Sequence, residues 1–432
     1  MAHSDLVVQL QRARHAAQHM ASLSTEQKNA ALATFAKLLQ THSNALLDAN
    51  LQDVQKAKTD GLEPALMQRL KLDAAKIRTL IEGVQQVIAL DDPAHRVLKT
   101  TLLDDDLTLE QRTVPLGVIA IIFESRPDVL PQILTLMLKS GNAVVFKGGR
   151  EAQHSNRAMM TVIDALNQAH PELPEHWATL IEGRAAVAEL LKYPQYVDLV
   201  IPRGSNALVQ HIMANTQIPV LGHADGVCHL FWHASAAPEK AIALLLDAKT
   251  QYPSACNALE TVLIDAAVPA EQIKAFLQAA LAARVTVRGC AQLRQLSPEL
   301  AEVKDWHTEY GDLTLAAKMV ANTPEAITHI NRNGSHHTDG ILADPQTAKA
   351  DIEQFLNTVD SASVFVNAST RFADGFRYGL GAEIGISTSR THARGPVGLD
   401  GLVSTQYRLK GQYHTVDAYT GDTPKAFKHI RV

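Results

Sequence analysis

The sequence predicts an α/β protein of two parallel-sheet domains, with a helical lead-in and a protruding hairpin. Three observations carry this. The chain has 432 residues, more than one ordinary hydrophobic core holds, so two large domains are expected. Beyond Pro115, short apolar runs alternate with helical stretches, which is the pattern of βαβ units. A second series of the same kind starts after Gly226.

In chain order, Ser4 to about Leu90 reads as helix almost throughout. Ser24 to Gln27 has the form of a capping box, and AALATFAKLLQ repeats apolar residues at helical spacing. From Leu98 to Val114 the pattern becomes two extended runs around an Asp-rich turn, TTLLDDDLTLEQRTV, which predicts a hairpin standing out from its domain. The first alternating series runs GVIAIIF, helix VLPQILTLMLKS, AVVF, a helix to about Ala169, ATLI, another helix, and VDLVI. The second has strands at HLFW, TVLI, VTV, LAAKMV and SVFV, separated by helices such as AEQIKAFLQAALAA. Neither an internal repeat nor a low-complexity tract nor a coiled-coil heptad is visible.

Composition excludes several classes. Hydrophobic residues make up 46% and charged residues 20% of the chain, as in globular rather than disordered proteins. A formal net charge of -5 argues against a nucleic-acid or anionic-membrane surface, while leaving room for a local basic pocket. The first twenty residues lack the apolar stretch of a secretory signal, and no run approaches the roughly eighteen apolar residues of a membrane span. A soluble, cytoplasmic protein is expected.

Cysteine use fits a reducing compartment: Cys228, Cys256 and Cys290 are too scattered for a disulfide framework or a metal cluster. In TQYPSACNALETVLI, Cys256 follows a Pro-Ser turn shortly before an apolar strand, so it lies on a loop. Two readings stand side by side. A loop thiol whose thiolate is favoured by nearby N–H groups is a strong nucleophile; an intracellular cysteine is also often a small buried hydrophobe. Cys228, at a strand start, and Cys290, ending VTVRGC, read as packing residues. The cluster NGSHHTDG lacks regular ligand spacing and no CxxC pair exists, so no metal is assigned.

A run of longer motifs adds to this. VPLGVIAIIFESRPDV (114–129), SGNAVVFKGGREA (140–152), IPRGS (201–205), IPVLGHADGVCH (218–229), YPSACNALETVLI (252–264), EYGDLTLAAKMV (309–320), HINRNGSHHTD (329–339) and VNASTRFADG (366–375) follow one another, then GLGAEIGISTSRTHARGPVGL. In this order they resemble the γ-glutamyl phosphate reductase family of the aldehyde dehydrogenase superfamily. The resemblance implies an aldehyde-dehydrogenase-like fold of two Rossmann-like domains plus a small oligomerisation element. Residues 1–98 and 114–226 would bind cofactor, 227–400 would carry catalysis, and 99–113 with 401–432 would form the oligomerisation hairpin and tail. A homodimer or homotetramer follows, since an unpaired hairpin edge commonly finds its partner strand in another subunit.

The same resemblance makes Cys256 the catalytic nucleophile. It implies reduction of γ-glutamyl phosphate to glutamate 5-semialdehyde with NADPH in proline biosynthesis, with glutamate 5-kinase as functional partner. Phosphate is a good leaving group, so a thiolate can expel it and form a thioacyl-enzyme. A backbone N–H at or beside Cys256 is the natural oxyanion donor; FESRPDV offers no asparagine as a second one. No G-x-G-x-x-G fingerprint precedes a helix here. By resemblance, Lys147 contacts the adenosine ribose region, Gly204 and Ser205 form a turn near the cofactor phosphates, and Glu309 holds the nicotinamide ribose. By residue type alone, Lys147 is equally a solvated lysine, Gly204 and Ser205 an ordinary turn, and Glu309 a surface carboxylate. Candidates for the glutamyl end of the substrate are Arg126, His337, Ser369 and Arg371, each of which has a structural alternative: a local pair, a core histidine, a solvated face.

An absence separates the enzyme readings. Hydrolytic aldehyde dehydrogenases need a general base, a glutamate in a Glu-Leu-Gly-Gly motif roughly thirty residues before the cysteine. The matching segment here is GHADGVCH, whose only carboxylate is Asp225; His223 and Asp225 read as bracing residues in a turn. Departures from the family pattern are His336 for a glycine, Ser205 for a second glycine, Asp128 for an asparagine, and Arg377 in an often acidic region. The rival readings are a hydrolytic aldehyde dehydrogenase, a non-catalytic scaffold, and a cysteine acyltransferase or hydrolase that uses no nicotinamide.

Overall fold

The computed structural model describes residues 3–183, 185–222, 225–420 and 422–432. Helices α1 (His3–Met20), α2 (Thr25–Thr41), α3 (Ser43–Thr59), α4 (Pro64–Leu70) and α5 (Ala74–Ala89) come first, then strands β1 (Val97–Asp104) and β2 (Leu107–Pro115). There follow β3 (Val118–Phe123), α6 (Val129–Ser140), β4 (Ala143–Lys147), α7 (Gln153–Ala169), β5 (Ala178–Leu180), α8 (Ala186–Leu190), β6 (Leu199–Arg203) and α9 (Asn206–Ala214). The next stretch holds β7 (Cys228–Trp232), α10 (Pro238–Thr250), β8 (Leu259–Asp265), α11 (Ala270–Ala282), β9 (Thr286–Gly289), α12 (Ala291–Leu296), β10 (Ala301–Glu302) and β11 (Thr314–Val320). It continues through α13 (Thr323–Asn333), β12 (Thr338–Leu342), α14 (Lys349–Thr358), β13 (Ser363–Val366), β14 (Gly385–Ser387) and β15 (Gly395–Val397), before β16 (Val403–Lys410) and β17 (Ile430–Arg431).

The chain divides into two compact units, residues 1–221 with 398–432, and residues 222–397. In the first, a parallel sheet has the order β5-β4-β3-β6. Every residue of β3 is buried, because helices cover both faces of a parallel sheet and its strands carry continuous apolar runs. Helix α6 is buried at every position except Gln132 and ends at Gly141, whose φ of 74° supplies the left-handed C-terminal turn. The expected capping box starts α2: Ser24 Oγ accepts from Gln27 N–H at 3.2 Å, and Gln27 Oε1 accepts from Ser24 N–H at 2.9 Å.

Those N-terminal helices are more than a lead-in, since they pack into the sheet unit. Asp53 of α3 is buried and caps the start of α7, accepting from His154 N–H (3.0 Å), Ser155 N–H (2.8 Å) and the Ser155 hydroxyl (2.7 Å). A carboxylate at a helix N-terminus also complements its dipole. The hairpin is present, with β1 and β2 paired antiparallel and Thr101 opposite Leu109. Asp106 in its turn has a φ of 56°, a conformation that aspartate tolerates better than most residues. The tail completes this sheet in the order β16-β2-β1-β17, and Ser404 to Lys410 of edge strand β16 are exposed.

In the second unit a seven-stranded parallel sheet has the order β10-β9-β11-β8-β7-β12-β13. All five expected strands are there. Strand β12 was not expected, because TDGIL opens with polar residues. Its Asp339 is fully buried and satisfied: it accepts from His229 N–H at 2.7 Å, pairs with His229 Nδ1 at 2.9 Å, and takes the Ser361 hydroxyl. Burial of a carboxylate is tolerable on those terms. Among the described residues no helix is long and apolar enough to cross a membrane.

Candidate active site

In the second unit, Cys256 lies on the loop between α10 and β8, partly exposed, as a loop thiol should be to meet a substrate. Gly226 lies directly beneath it. A Cβ at Gly226 would meet Cys256 O at 2.1 Å and Cys256 Cα at 2.6 Å, so only glycine lets the two backbones approach this closely. The Cys228 thiol donates to Cys256 O at 3.4 Å. Burial pushes that thiol well up from its usual range, so Cys228 is a protonated donor. Asn257 anchors the next position, its Nδ2 donating to Ala373 O at 2.8 Å.

Three of the substrate candidates gather around this loop. Arg371, in the short 3-10 turn Thr370–Phe372, donates from Nε to Gln251 Oε1 at 2.8 Å and stands over the Tyr252 ring at 5.7 Å. Burial lowers its guanidinium and Arg377 adds to this, while the charge of Cys256 acts the opposite way, which puts Arg371 within electrostatic reach of Cys256. Ser369 is buried just before the turn, and its Oγ has no hydrogen-bond partner among the described residues. His337 is buried with Nδ1 2.8 Å from Thr338 Oγ1 and 3.9 Å from Cys228 Sγ. Arg126 belongs to the first unit instead, half-buried, with its carbonyl accepting from Val129 N–H at the start of α6.

His336 explains one departure from the family pattern. Its φ is 59°, the left-handed region where glycine is usual, and its ring turns to the Asp360 carbonyl, with Nδ1 2.5 Å from that oxygen. His223 lies outside the described residues. Asp225 is partly exposed next to Gly226.

In the first unit, Lys147, Gly204 and Ser205 line one cleft of about 730 Å³. It opens beyond the carboxyl ends of β3, β4 and β6, the usual place for a nucleotide on a parallel sheet. A Cβ at Gly204 would meet Glu124 Oε2 at 2.5 Å and Leu208 Cδ2 at 2.8 Å, so the Glu124 and Leu208 side chains pack directly over this glycine. Ser205 N–H, at the start of α9, donates to Glu124 Oε2 at 2.9 Å. Burial lowers the Lys147 ammonium, opposed by Glu151 and Glu124. Ser125, with a φ of 45°, donates to Glu151 Oε1 from its N–H (2.6 Å) and its hydroxyl (2.9 Å). A cleft bordered by Lys147, Arg69 and Arg150, with a helix start at Ser205, fits a dinucleotide.

Comparison with known proteins agrees with this geometry. Residues 2–292 match the model of the aldehyde dehydrogenase family. The γ-glutamyl phosphate reductase of Synechococcus sp. (strain JA-3-3Ab) is 49% identical over 434 residues, covering 99% of this chain and 95% of that one. That of Brachyspira hyodysenteriae is 44% identical, covering 99% of both. The chain belongs to the γ-glutamyl phosphate reductase family of aldehyde dehydrogenases. Among solved structures, the γ-glutamyl phosphate reductase of Thermotoga maritima superposes with a TM-score of 0.92 at 37% identity, over 95% of this chain and 99% of that one. An acetylating aldehyde dehydrogenase from Geobacillus thermoglucosidasius, at 16% identity and a TM-score of 0.63, shares the fold.

Aldehyde dehydrogenases use nicotinamide cofactors, in keeping with the cleft. Two residues of this γ-glutamyl phosphate reductase family member escaped sequence reasoning. Glu260, the second residue of β8, is buried and pairs with buried Lys249 at 2.9 Å. It also accepts from Tyr310 N–H at 3.1 Å and Gly311 N–H at 3.4 Å, immediately after Glu309. Burial raises its carboxyl to about 7 and lowers the Lys249 ammonium. The ETVLI run in which Glu260 stands reads only as strand, and nothing local announces its partners fifty residues on.

Proposed function

We propose that this protein reduces γ-glutamyl phosphate to glutamate 5-semialdehyde and phosphate with NADPH, through a thioacyl-enzyme on Cys256, in cytoplasmic proline biosynthesis. The observation that carries it is the Cys256 loop, held on Gly226 with the Arg371 cation in reach, in a chain nearly half identical to γ-glutamyl phosphate reductases.

In the proposed reaction the Cys256 thiolate attacks the acyl carbon, and the bond to the phosphate oxygen breaks with its electron pair leaving on phosphate, which takes up the proton consumed overall. A backbone N–H at or beside Cys256 stabilises the oxyanion. When bound, NADPH supplies a hydride to the thioacyl carbon. Collapse of the resulting thiohemiacetal oxyanion releases the aldehyde and restores the thiolate. Lys147, Gly204 and Ser205 take the adenosine and phosphate portion of the cofactor, and Glu309 the nicotinamide ribose. The single charge of Lys147 suits a 2′-phosphate. Arg126, His337, Ser369 and Arg371 are assigned to the glutamyl end, where the buried Ser369 hydroxyl still has a hydrogen bond to give. With Asp225 the only carboxylate in GHADGVCH, where hydrolytic aldehyde dehydrogenases carry their general-base glutamate, the thioester is set up for phosphate and hydride rather than for water.

The hairpin sheet is assigned to a homodimer or homotetramer, and glutamate 5-kinase is the activity that supplies the acyl phosphate. No nucleic acid or membrane takes part. The test is NADP+ reduction by glutamate 5-semialdehyde with and without phosphate, in the wild type and in Cys256→Ala. Activity that needs both phosphate and Cys256 is expected. Turnover without phosphate would replace the proposal by a hydrolytic dehydrogenase.

A further inference from the structure

We infer that Glu260, backed by Lys249, is a positioning residue that fixes the Glu309 loop against the nucleophile loop and so sets where the nicotinamide ribose is held. This rests on the reading of Glu309 as the ribose ligand. The topology supplies the first reason. Strands β8 and β11 are parallel neighbours, with Ala316 opposite Thr261. Cys256 stands just before the first of these strands and Glu309 just before the second, so both functional residues enter the same end of the sheet on adjacent loops. The cleft of about 550 Å³ bordered by Tyr252, Ser254, Gly311 and Asp312 lies along these two loops.

Glu260 is the direct link between them. Its carboxylate takes two successive N–H groups, those of Tyr310 and Gly311. Gly311, with a φ of 63°, makes the left-handed turn that lets adjacent N–H groups converge on one anion. Lys249, in the last turn of α10, holds the same carboxylate from the side of the helix that leads into the Cys256 loop. One buried pair therefore ties together the end of α10, the residues after Cys256 and the residues after Glu309.

Stability alone does not account for it. Removing two charges from water costs about what their attraction returns, and an apolar pair of similar volume usually serves the core at least as well. What the apolar pair cannot do is accept N–H groups from a loop and dictate its path. The cost of two fully buried charges is met here at the point where the loop position bears on cofactor geometry.

The experiment compares wild type, Glu260→Gln, the double variant Lys249→Met with Glu260→Met, and Glu309→Gln. Each is assayed in the oxidative direction for kcat and for KM toward NADP+ and glutamate 5-semialdehyde, alongside the rate of Cys256 alkylation by iodoacetamide and thermal melting. Loss of charge-assisted hydrogen bonds to the loop is expected to raise KM for NADP+ about tenfold in both Glu260 variants. KM for the aldehyde and the alkylation rate should stay within about twofold, a split that general loosening of the fold would not produce. An unchanged KM for NADP+ in both, with Glu309→Gln raising it, would overturn the inference and leave Glu309 as ribose ligand. An unchanged KM in Glu309→Gln would overturn the ribose reading and the inference with it. Failure of both Glu260 variants to fold would assign the pair to stability and also overturn it.

Discussion

At Gly226 the missing side chain is a requirement of the Cys256 loop, the proposed seat of the nucleophile. Adding one methyl group would drive a Cβ into the backbone of Cys256, at 2.1 Å from its carbonyl oxygen, and neither backbone can rotate away as a flexible side chain would. Gly226→Ala is expected to retain its fold and lose about a hundredfold in kcat, since displacements of about 1 Å at reacting atoms cost that much. Circular dichroism with steady-state kinetics checks this, and a kcat within about threefold of wild type would show that the loop yields. How much of this was legible differs by residue. Cys256 stood out through its loop and motif. Gly226 was readable as part of GHADG, but its role depends on a contact thirty residues away in sequence. Glu260 was invisible, because a carboxylate takes its meaning from whatever donors the fold brings to it. His336 stands out in sequence only as a departure from glycine, whereas its backbone conformation and the Asp360 carbonyl decide where the ring goes.

Among the elements, most strands of both sheets were legible because buried parallel strands must be continuously apolar. The exceptions have reasons. Strand β12 hides behind TDGIL, whose polar start is satisfied by His229 and Ser361 and not by solvent. Strands β10, β14 and β15 are two or three residues long, too short for a period to register. The N-terminal helices were legible as helices, and the family resemblance placed them with the first sheet, but the buried contacts that join them to it, among them Asp53 and Asn50 on Ser155, are not written in any local pattern. Asp53→Ala would leave two N–H groups at the start of α7 without their acceptor. A loss of about 2 kcal/mol is expected from removing this cap. It should appear as a lower thermal midpoint of the first unit, with the alkylation rate of Cys256 unchanged; an unchanged midpoint would mean that water replaces the carboxylate.

On the scale of the whole molecule, the tail closes a sheet begun more than three hundred residues earlier. Ser404 pairs with Val114 and Lys410 with Thr108, so residues at the end of the sequence finish the hairpin. Hairpin and tail could each be read from sequence, but their pairing register could not, because no local pattern encodes a partner so far away. The result is an edge strand with Tyr407 and Leu409 exposed on it. Exposed edges are usually covered or paired. Replacing Tyr407 and Leu409 together by Asp is expected to convert the proposed oligomer to monomer in sedimentation velocity. A wild type that already sediments as a monomer would remove the assigned assembly.

The Glu124 carboxylate seated on Ser205 N–H has a further consequence. A negative group arriving at the start of α9 does not fill a vacancy; it must trade places with one already there. Such an exchange returns little to a small free anion, even to the inorganic phosphate that the proposed reaction releases. On the proposed cofactor assignment, a ligand with additional contacts along the cleft can drive the swap, which would favour a whole dinucleotide over its fragments.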